Sequence, residues 1–233
     1  MEIKTYMDYM YEVNENNEVS ILKYKGNFEE VTIPNSIDGM PVTEINASLF
    51  GNTGFCNSDL LKRVVIPDGV RNVAIHSFSG SKSLESVAIP ASVTEIDSSA
   101  FRRSNSLASI NVNENNPAYA DIDGVLFNKD LTKLIWFPIG KSVEEESAYT
   151  VPHGVTTIGR RAFSGCFLDK IALPDIVTDI SSAAFHRCSY LKDVRIPVGI
   201  KTILHSAFED CASLPTINIP ESVTKIDSSA FKG

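Results

Sequence analysis

The strongest constraint on this chain is a repeat with a period of roughly 23 residues, the mark of stacked supersecondary units none of which can bury its apolar side alone. Aligned on the proline of each Ile-Pro-like dipeptide, Pro67 and Pro90 define one period, and after a long gap Pro152, Pro174, Pro197 and Pro220 follow at nearly the same spacing. With that proline as position 0, apolar residues return at −6, −3, −1, +3, +6 and +11, and alanine usually stands at +10. Six phenylalanines hold +11: Phe78, Phe101, Phe163, Phe185, Phe208 and Phe231. The chain is therefore expected to be a solenoid whose equivalent residues form columns.

Within one unit the residues at −3 and −1 alternate with polar or small ones at −4 and −2, the period of a half-buried strand. Examples are Val64 and Ile66, Val87 and Ile89, Val194 and Ile196, and Ile217 and Ile219. Proline then stops the strand, because it has no N–H to give the ladder. The next apolar pair, such as Val93 and Ile96 or Val223 and Ile226, fits a short second strand or a turn edge. The polar stretch after it, Asp97-Ser98-Ser99 for instance, and the Ala-Phe that follows predict one turn of helix or 3₁₀ structure that carries the phenylalanine inward.

The full pattern, Leu-x-x-Ile-x-Ile-Pro-x-x-Val-Thr-x-Ile-x-x-x-Ala-Phe-x-x-Cys-x-x-Leu, is carried best by Leu191 to Leu214 and less well from Leu107 onward. It resembles the BspA-like class of leucine-rich repeats. The opening segment, Val19 to Gly26, Val31 to Pro34 and Ile37 to Ile45, is similar to the first module of that family. Its Asp38-Gly39-Met40-Pro41 lengthens the interval from Pro34 to Phe50 beyond the +11 offset kept elsewhere, and a second enlargement surrounds Cys56. The resemblance implies a right-handed superhelix, mostly β with short helical or 3₁₀ turns, with a parallel sheet on its concave face and one β-hairpin insertion. Residues 1–233 are expected to be one repeat domain: 1–60 a first module, 113–150 the insertion and 151–233 regular repeats.

Two departures stand out. From Asn113, where proline is due, to Pro152 the pattern lapses, and Gly124 to Pro138 holds two apolar runs around a polar turn, the signature of a hairpin. Ile135, Phe137 and Pro138 also fit the −3, −1 and 0 phase, so a protruding hairpin and a rung of the stack both remain open. The chain stops at Phe231-Lys232-Gly233 in mid-repeat, and solenoids need capped ends. Either the natural protein continues past Gly233 or the chain is a piece of it.

Composition removes several function classes. No apolar stretch approaches the roughly 18 residues of a membrane helix, and the N-terminus lacks the basic start and apolar run of an export signal. With a net charge of −8, binding to nucleic acid is not expected, because that needs clustered lysine and arginine. Residues 1–50 hold 9 acidic and 3 basic residues, a net −6 that leaves −2 for the rest, and Glu144-Glu145-Glu146 adds a local run. Such runs are usually solvated faces; a basic partner is the functional alternative.

Candidate chemistry is sparse. Cys166, Cys188 and Cys211 all stand at +14, where Ser81 and Ser104 stand in other repeats, so they are expected as small buried thiols on successive rungs, with parallel Cβ vectors that disfavour a bridge. No Cys-x-x-Cys pair suggests zinc, and Cys56 is alone. His76, His153, His186 and His205 fall at +9, +1, +12 and +8, so they build no column of ligands; the closeness of His186 to Cys188 follows from the repeat rather than from a catalytic pattern. Asp121-Ile122-Asp123-Gly124 lacks the terminal glutamate of a calcium loop, Thr132 standing there, and fits a turn into the hairpin. No nucleophile elbow, phosphate loop, dinucleotide fingerprint or zinc-protease motif occurs, and no cofactor is expected.

What remains is the outer face of the sheet, at −4 and −2: Arg63 and Val65, Ser86 and Ala88, Ser109 and Asn111, Lys170 and Ala172, Asp193 and Arg195, Thr216 and Asn218. Of these, Arg63, Val65, Lys170, Asp193, Arg195 and Asn218 are the candidate protein-binding residues. Trp136, Phe137 and Tyr149 are the aromatic side chains expected nearest solvent, Trp136 packing the hairpin onto the solenoid. The expected function is a noncatalytic binding module. The resemblance implies adhesion, or recognition of a protein or matrix component outside the cell; a cytoplasmic scaffold, which would suit unpaired cysteines, and a spacer in a longer protein are the alternatives.

Overall fold

The computed structural model describes residues 2–46, 60–142 and 148–233. Phe50, Cys56 with its enlarged segment, and Glu144-Glu145-Glu146 lie outside the described residues. The chain divides into two compact units, Met1–Gly124 and Val125–Gly233. Both are β-solenoid, and among the described residues no helix is long and apolar enough to cross a membrane.

The N-terminal unit starts antiparallel. Lys4–Tyr6 pairs with Tyr9–Val13, which pairs with Val19–Tyr24. Val19–Tyr24 then runs parallel to Met40–Ile45, and that strand to Asn72–Val73 and Glu95–Ile96, which stand at offsets +5 and +6 of successive rungs. The inserted Asp38 and Gly39, with φ of 51° and 79°, turn Ser36–Ile37 back onto Met40–Ile45, so the lengthened interval is a small hairpin. A second sheet stacks Glu30–Thr32, Arg63–Val65, Ser86–Ile89 and Ser109–Val112 in parallel, each residue opposite its repeat equivalent. As alternation requires, Val64, Ile66, Val87 and Ile89 point inward and are buried.

Four tyrosines of this unit carry a pH signature. Burial, ahead of neighbouring charge or hydrogen bonding, pushes the phenols of Tyr9, Tyr11, Tyr24 and Tyr119 above the usual 10.0. A pKa raised in the folded state gives stability that is complete below the unfolded value and lost as pH climbs through the folded one. Titration is therefore expected to show phenolate absorbance lagging past pH 10.0 and then rising together with loss of the far-ultraviolet β signal. Simple titration of these phenols near their usual value, with the fold intact, would contradict their burial.

In the C-terminal unit Ala148–Thr150, Lys170–Ala172 and Asp193–Val194 stack in parallel, as do Lys133–Trp136, Thr157–Ile158 and Asp179–Ile180. Thr202–Ile203 and Lys225–Ile226 form a further pair. The expected strand at Ile217 and Ile219 does not form, and Ile219 is exposed. The cause is Pro215 at −5. In other rungs the −5 N–H starts the ladder, as when Lys192 N–H donates to the Asp169 carbonyl at 2.7 Å, and proline has none to give.

The segment from +7 to +14 is not helical. It is a run of turns whose N–H groups alternate in direction. Those at +10, +12 and +14 donate three residues back, as Ala184, His186 and Cys188 do to Ser181, Ala183 and Phe185. Those at +11 and +13 donate to the next rung, as Phe185 does to Ala207 at 2.8 Å and Arg187 to Glu209 at 2.8 Å. Left-handed residues produce the alternation: +13 has positive φ in all six repeats (Gly80, Arg103, Gly165, Arg187, Asp210, Gly233), and +9 in five (His76, Arg161, Ala183, Ser206, Ser229). A helix would keep every N–H within its own rung; these turns send half of theirs along the stack.

That geometry brings the +11 rings into register. Phe163 and Phe185 lie 5.3 Å apart at 4°, Phe185 and Phe208 4.9 Å apart at 5°, and Phe208 and Phe231 5.5 Å apart at 6°, while Phe78 and Phe101 repeat the arrangement in the N-terminal unit at 5.8 Å. All are within the range for offset stacking.

The hairpin expected between Gly124 and Pro138 is present, and one arm is also a rung. Val125–Asn128 pairs antiparallel with Lys133–Trp136, while Leu134 stands opposite Ile158 in the parallel stack. The phase differs from the one in which Phe137 and Pro138 are −1 and 0. Leu134 takes the +6 place, and Phe137 takes the +11 place: its N–H donates to the Ala162 carbonyl at 2.7 Å and its ring lies 5.4 Å from Phe163. Ile-x-Phe-Pro mimics the strand-ending dipeptide in letters, but the column of rings captures the phenylalanine. Trp136 and Phe137 are consequently buried rather than near solvent, and Tyr149 is half-buried with its ring edge on Phe137 at 4.8 Å.

Candidate functional site

Of the six residues singled out from sequence, Arg63, Val65, Lys170 and Asp193 stand on strands, Arg195 lies just past the strand that ends at Val194, and Asn218 lies in the segment whose strand does not form; the two units divide them. Arg63 and Val65 belong to the N-terminal unit; Lys170, Asp193, Arg195 and Asn218 belong to the C-terminal one. All six are exposed. In the N-terminal unit the −2 column runs Thr32, Val65, Ala88, Asn111 across four paired strands. Its small side chains leave an open groove of about 480 Å³ along the strand ends, lined by Val65, Pro67, Ala88, Pro90, Asn111 and Asn113 among others. The prolines do more than stop their strands: since each stops its strand at the same height, together they form one wall.

The charged candidates are each paired with a neighbouring element. Arg63 reaches Glu30 at 2.8 Å and Lys170 reaches Asp193 at 2.7 Å, both across one rung; Arg195 pairs with Asp175. One column over, Lys62 pairs with Glu29 at 3.0 Å and Lys192 with Asp169 at 2.7 Å. The hydrogen bond from Lys62 to Glu29 pushes the ammonium pKa up. These pairs are exposed and add little to stability. Their effect is to cancel charge locally, so the face offers shape and hydrogen bonds rather than a long-range field.

The +14 column is structural. Cys188 Sγ donates to the Phe163 carbonyl at 3.1 Å, Cys211 Sγ to the Phe185 carbonyl at 3.1 Å, and Ser104 Oγ to the Phe78 carbonyl at 2.5 Å. In these three turns thiol and hydroxyl serve alike, each tying its turn to the one before it. Cys166, Cys188 and Cys211 are free, with Cys166 and Cys188 sulfurs 3.5 Å apart. Complete burial pushes the Cys188 thiol well up, which suits a hydrogen-bond donor rather than a nucleophile. A hydrogen bond with Cys188 draws the half-buried Cys211 thiol down.

The +12 column holds Ser164, His186, Glu209 and Lys232 on successive rungs. Ser164 Oγ and His186 Nδ1 are 3.5 Å apart, too long for an activated hydroxyl. The Glu209 carboxyl is held below its usual value first by a hydrogen bond from Ser206 and then by Lys232, so it is engaged within the turn. His205 Nδ1 meets Ser228 Oγ at 3.0 Å in a similar cross-rung pair, and His153 is exposed. Asp121 caps the turn that precedes the hairpin, accepting the Val112 N–H at 2.7 Å and the Gly124 N–H at 3.1 Å. Among the described residues no group of three or more His, Cys, Asp or Glu is placed to hold a metal ion.

With strand register, the ring column and the +14 donors in view, comparison of the sequence with known families matches residues 18–149 and 141–233 to the BspA type leucine rich repeat region, in six copies. The chain belongs to the BspA-type leucine-rich-repeat family. Among solved structures, a leucine rich cell surface protein of Faecalibacterium prausnitzii A2-165 is 25% identical over 100% of this chain and 86% of that one, with a TM-score of 0.61. A leucine rich repeat protein of T. pallidum is 28% identical, covering 97% and 86%, at a TM-score of 0.50. One from Bacteroides ovatus is 23% identical, covers 96% of this chain and 55% of its own, at 0.58, a likeness of fold alone. No curated protein matches. In this BspA-type chain the residues at offsets such as −4 and −2 vary from rung to rung. Two exposed side chains at such offsets escape a reading of the sequence: Phe167 and Tyr190, which meet edge to face at 5.7 Å. Their signal is weak, being only an aromatic residue just after the +14 cysteine.

Proposed function

We propose that this BspA-type chain is a noncatalytic recognition module that binds a protein partner along its strand faces, with Arg63, Val65, Lys170, Asp193, Arg195 and Asn218 among the contact residues. The observation that carries the reading is the open groove of about 480 Å³ over Val65, Ala88 and Asn111, a strip of small side chains walled by Pro67 and Pro90. Charges that are already paired across neighbouring rungs suit a partner chosen by fit and hydrogen bonding. The likeness to a protein described as a cell surface protein supports a place at the cell surface.

Reversing charge at Arg63, Lys170 and Arg195 together is expected to abolish capture of partners by the immobilised chain while leaving its circular dichroism unchanged. If every captured partner survives that change, the strand-face reading is wrong. A second reading, a spacer within a longer protein, draws on the same ion-pair ladders, because a face whose charges satisfy one another needs no partner. Undiminished capture in that experiment is the outcome this second reading expects.

A further inference from the structure

A second concave feature lies in the N-terminal unit, within the antiparallel strands that precede the repeats. Lys4–Tyr6 and Tyr9–Val13 are joined by Met7 and Asp8, and the register sets Tyr6 opposite Tyr9 across that tight turn. Met7 takes a left-handed φ of 48° and is 78% exposed. Beside the turn is a pocket of about 390 Å³, within the range of small-ligand clefts. Its lining includes the aromatic rings of Tyr6, Tyr9, Tyr24 and Phe28 and the carboxylates of Asp8 and Glu30.

Three observations define what this pocket suits. Tyr9 and Tyr24 pack at 5.3 Å and 42°, a tilted and buried pair that backs the pocket, and Phe28 is 65% exposed beside them. The Asp8 carboxylate is half-buried, yet among the described residues no lysine, arginine or histidine pairs with it, in contrast to Glu18, Glu29 and Glu30 of the same unit. Gly26 lets the backbone pass close against these groups: a Cβ there would lie 2.7 Å from Asp8 Oδ2 and 2.2 Å from the Tyr24 hydroxyl. Aromatic faces are negative, and with a carboxylate on the same wall they attract a cation that carries apolar substituents. The net −6 of residues 1–50 favours approach of the same sign of charge.

We propose that this pocket binds an organic cation, an alkylammonium group seated against Phe28 and Tyr6, backed by Tyr9 and Tyr24, with its charge facing Asp8. The source is either the lysine side chain of a partner or a free quaternary ammonium solute. The site is separate from the strand-face groove and does not depend on that reading.

The test uses the full chain and three probes: Nα-acetyl-lysinamide, tetramethylammonium chloride and tert-butanol, a neutral compound of similar bulk. Shifts of the tyrosine and phenylalanine ring protons are followed by nuclear magnetic resonance. Saturable binding of the cations with Kd on the order of 1 mM is expected, at least about tenfold tighter than for tert-butanol. Asp8→Asn and, separately, Phe28→Ala should each weaken the cations by about tenfold with the far-ultraviolet β signal retained, Asn keeping the shape of the half-buried Asp8 and Phe28 being exposed. Tighter binding of the lysinamide identifies a partner's side chain; tighter binding of tetramethylammonium identifies a free solute. The proposal is overturned if tert-butanol binds as well as the cations, if neither variant weakens them, or if no probe saturates below about 100 mM.

Discussion

Replacing Phe185 by alanine is expected to lower the free energy of unfolding by about 3–5 kcal/mol. Its ring is fully buried, with Phe163 on one face at 5.3 Å and Phe208 on the other at 4.9 Å. Alanine keeps the backbone hydrogen bond to Ala207, so the loss isolates packing: the transfer energy of the ring plus a slot that flanking rings cannot close while their own backbones are tied to neighbouring rungs. Phe231→Ala should cost less, because that ring is only partly buried. Urea unfolding followed by circular dichroism measures both, with a check for a single transition, since repeat proteins can lose cooperativity. A loss below about 1 kcal/mol at Phe185 would mean that the +11 column is not the core.

Asn116 is expected to be of similar weight for a different reason. It sits in the segment where the repeat lapses, fully buried, and all four of its amide hydrogen-bonding positions are used. Its Nδ2 donates to the carbonyls of Pro90 at 2.7 Å and Val93 at 2.9 Å, and its Oδ1 accepts the N–H groups of Ala118 and Tyr119, both at 2.8 Å. Elsewhere the carbonyl equivalent to that of Val93 accepts a serine hydroxyl from the next rung, Val70 from Ser92 and Ile200 from Ser222, and here the asparagine takes that role. Asn116→Leu leaves two buried acceptors and two half-buried donors without partners and should cost about 3 kcal/mol. Asn116→Asp keeps the acceptor but turns a carboxylate oxygen toward two carbonyls. That burial raises its pKa, so stability should be lowest at neutral pH and partly recover as pH falls through the raised value. An Asn116→Leu variant as stable as the parent would show that water or other groups replace the amide.

The period makes the columns legible. In rungs flanked on both sides, the residues expected inward at −3 and −1 are buried, from Val64 and Val87 to Val194 and Ile196, and Phe185 and Phe208 are buried with them. The same period does not reveal the conformation from +7 to +14, because the left-handed places are held by His76, Arg103, Ala183 and Ser206 rather than always by glycine, and such residues carry no flag in the sequence. Phe137 falls out of phase because a short dipeptide match and a column of rings compete for it, and ring packing wins. Pro215 breaks its strand without warning, since the repeat marks the proline at 0 and not the donor needed at −5. Counter-ions such as Glu30 for Arg63 are invisible in the sequence because they stand a whole rung away, 33 residues earlier in the chain. Aromatic density in Tyr6, Tyr9 and Tyr24 is plain to see, but it lies outside the repeat and has meaning only once the turn at Met7 and Asp8 folds the strands together.

Whether the strand face, rather than the turn side, meets the partner can be measured directly. A photo-crosslinking amino acid is placed at Ala88 or Ala172 in the −2 column and compared with one at the exposed His205 in the turns. The account predicts covalent capture of the same partner from Ala88 or Ala172 and none from His205. Capture from His205 alone, or equally from all three positions, would contradict it.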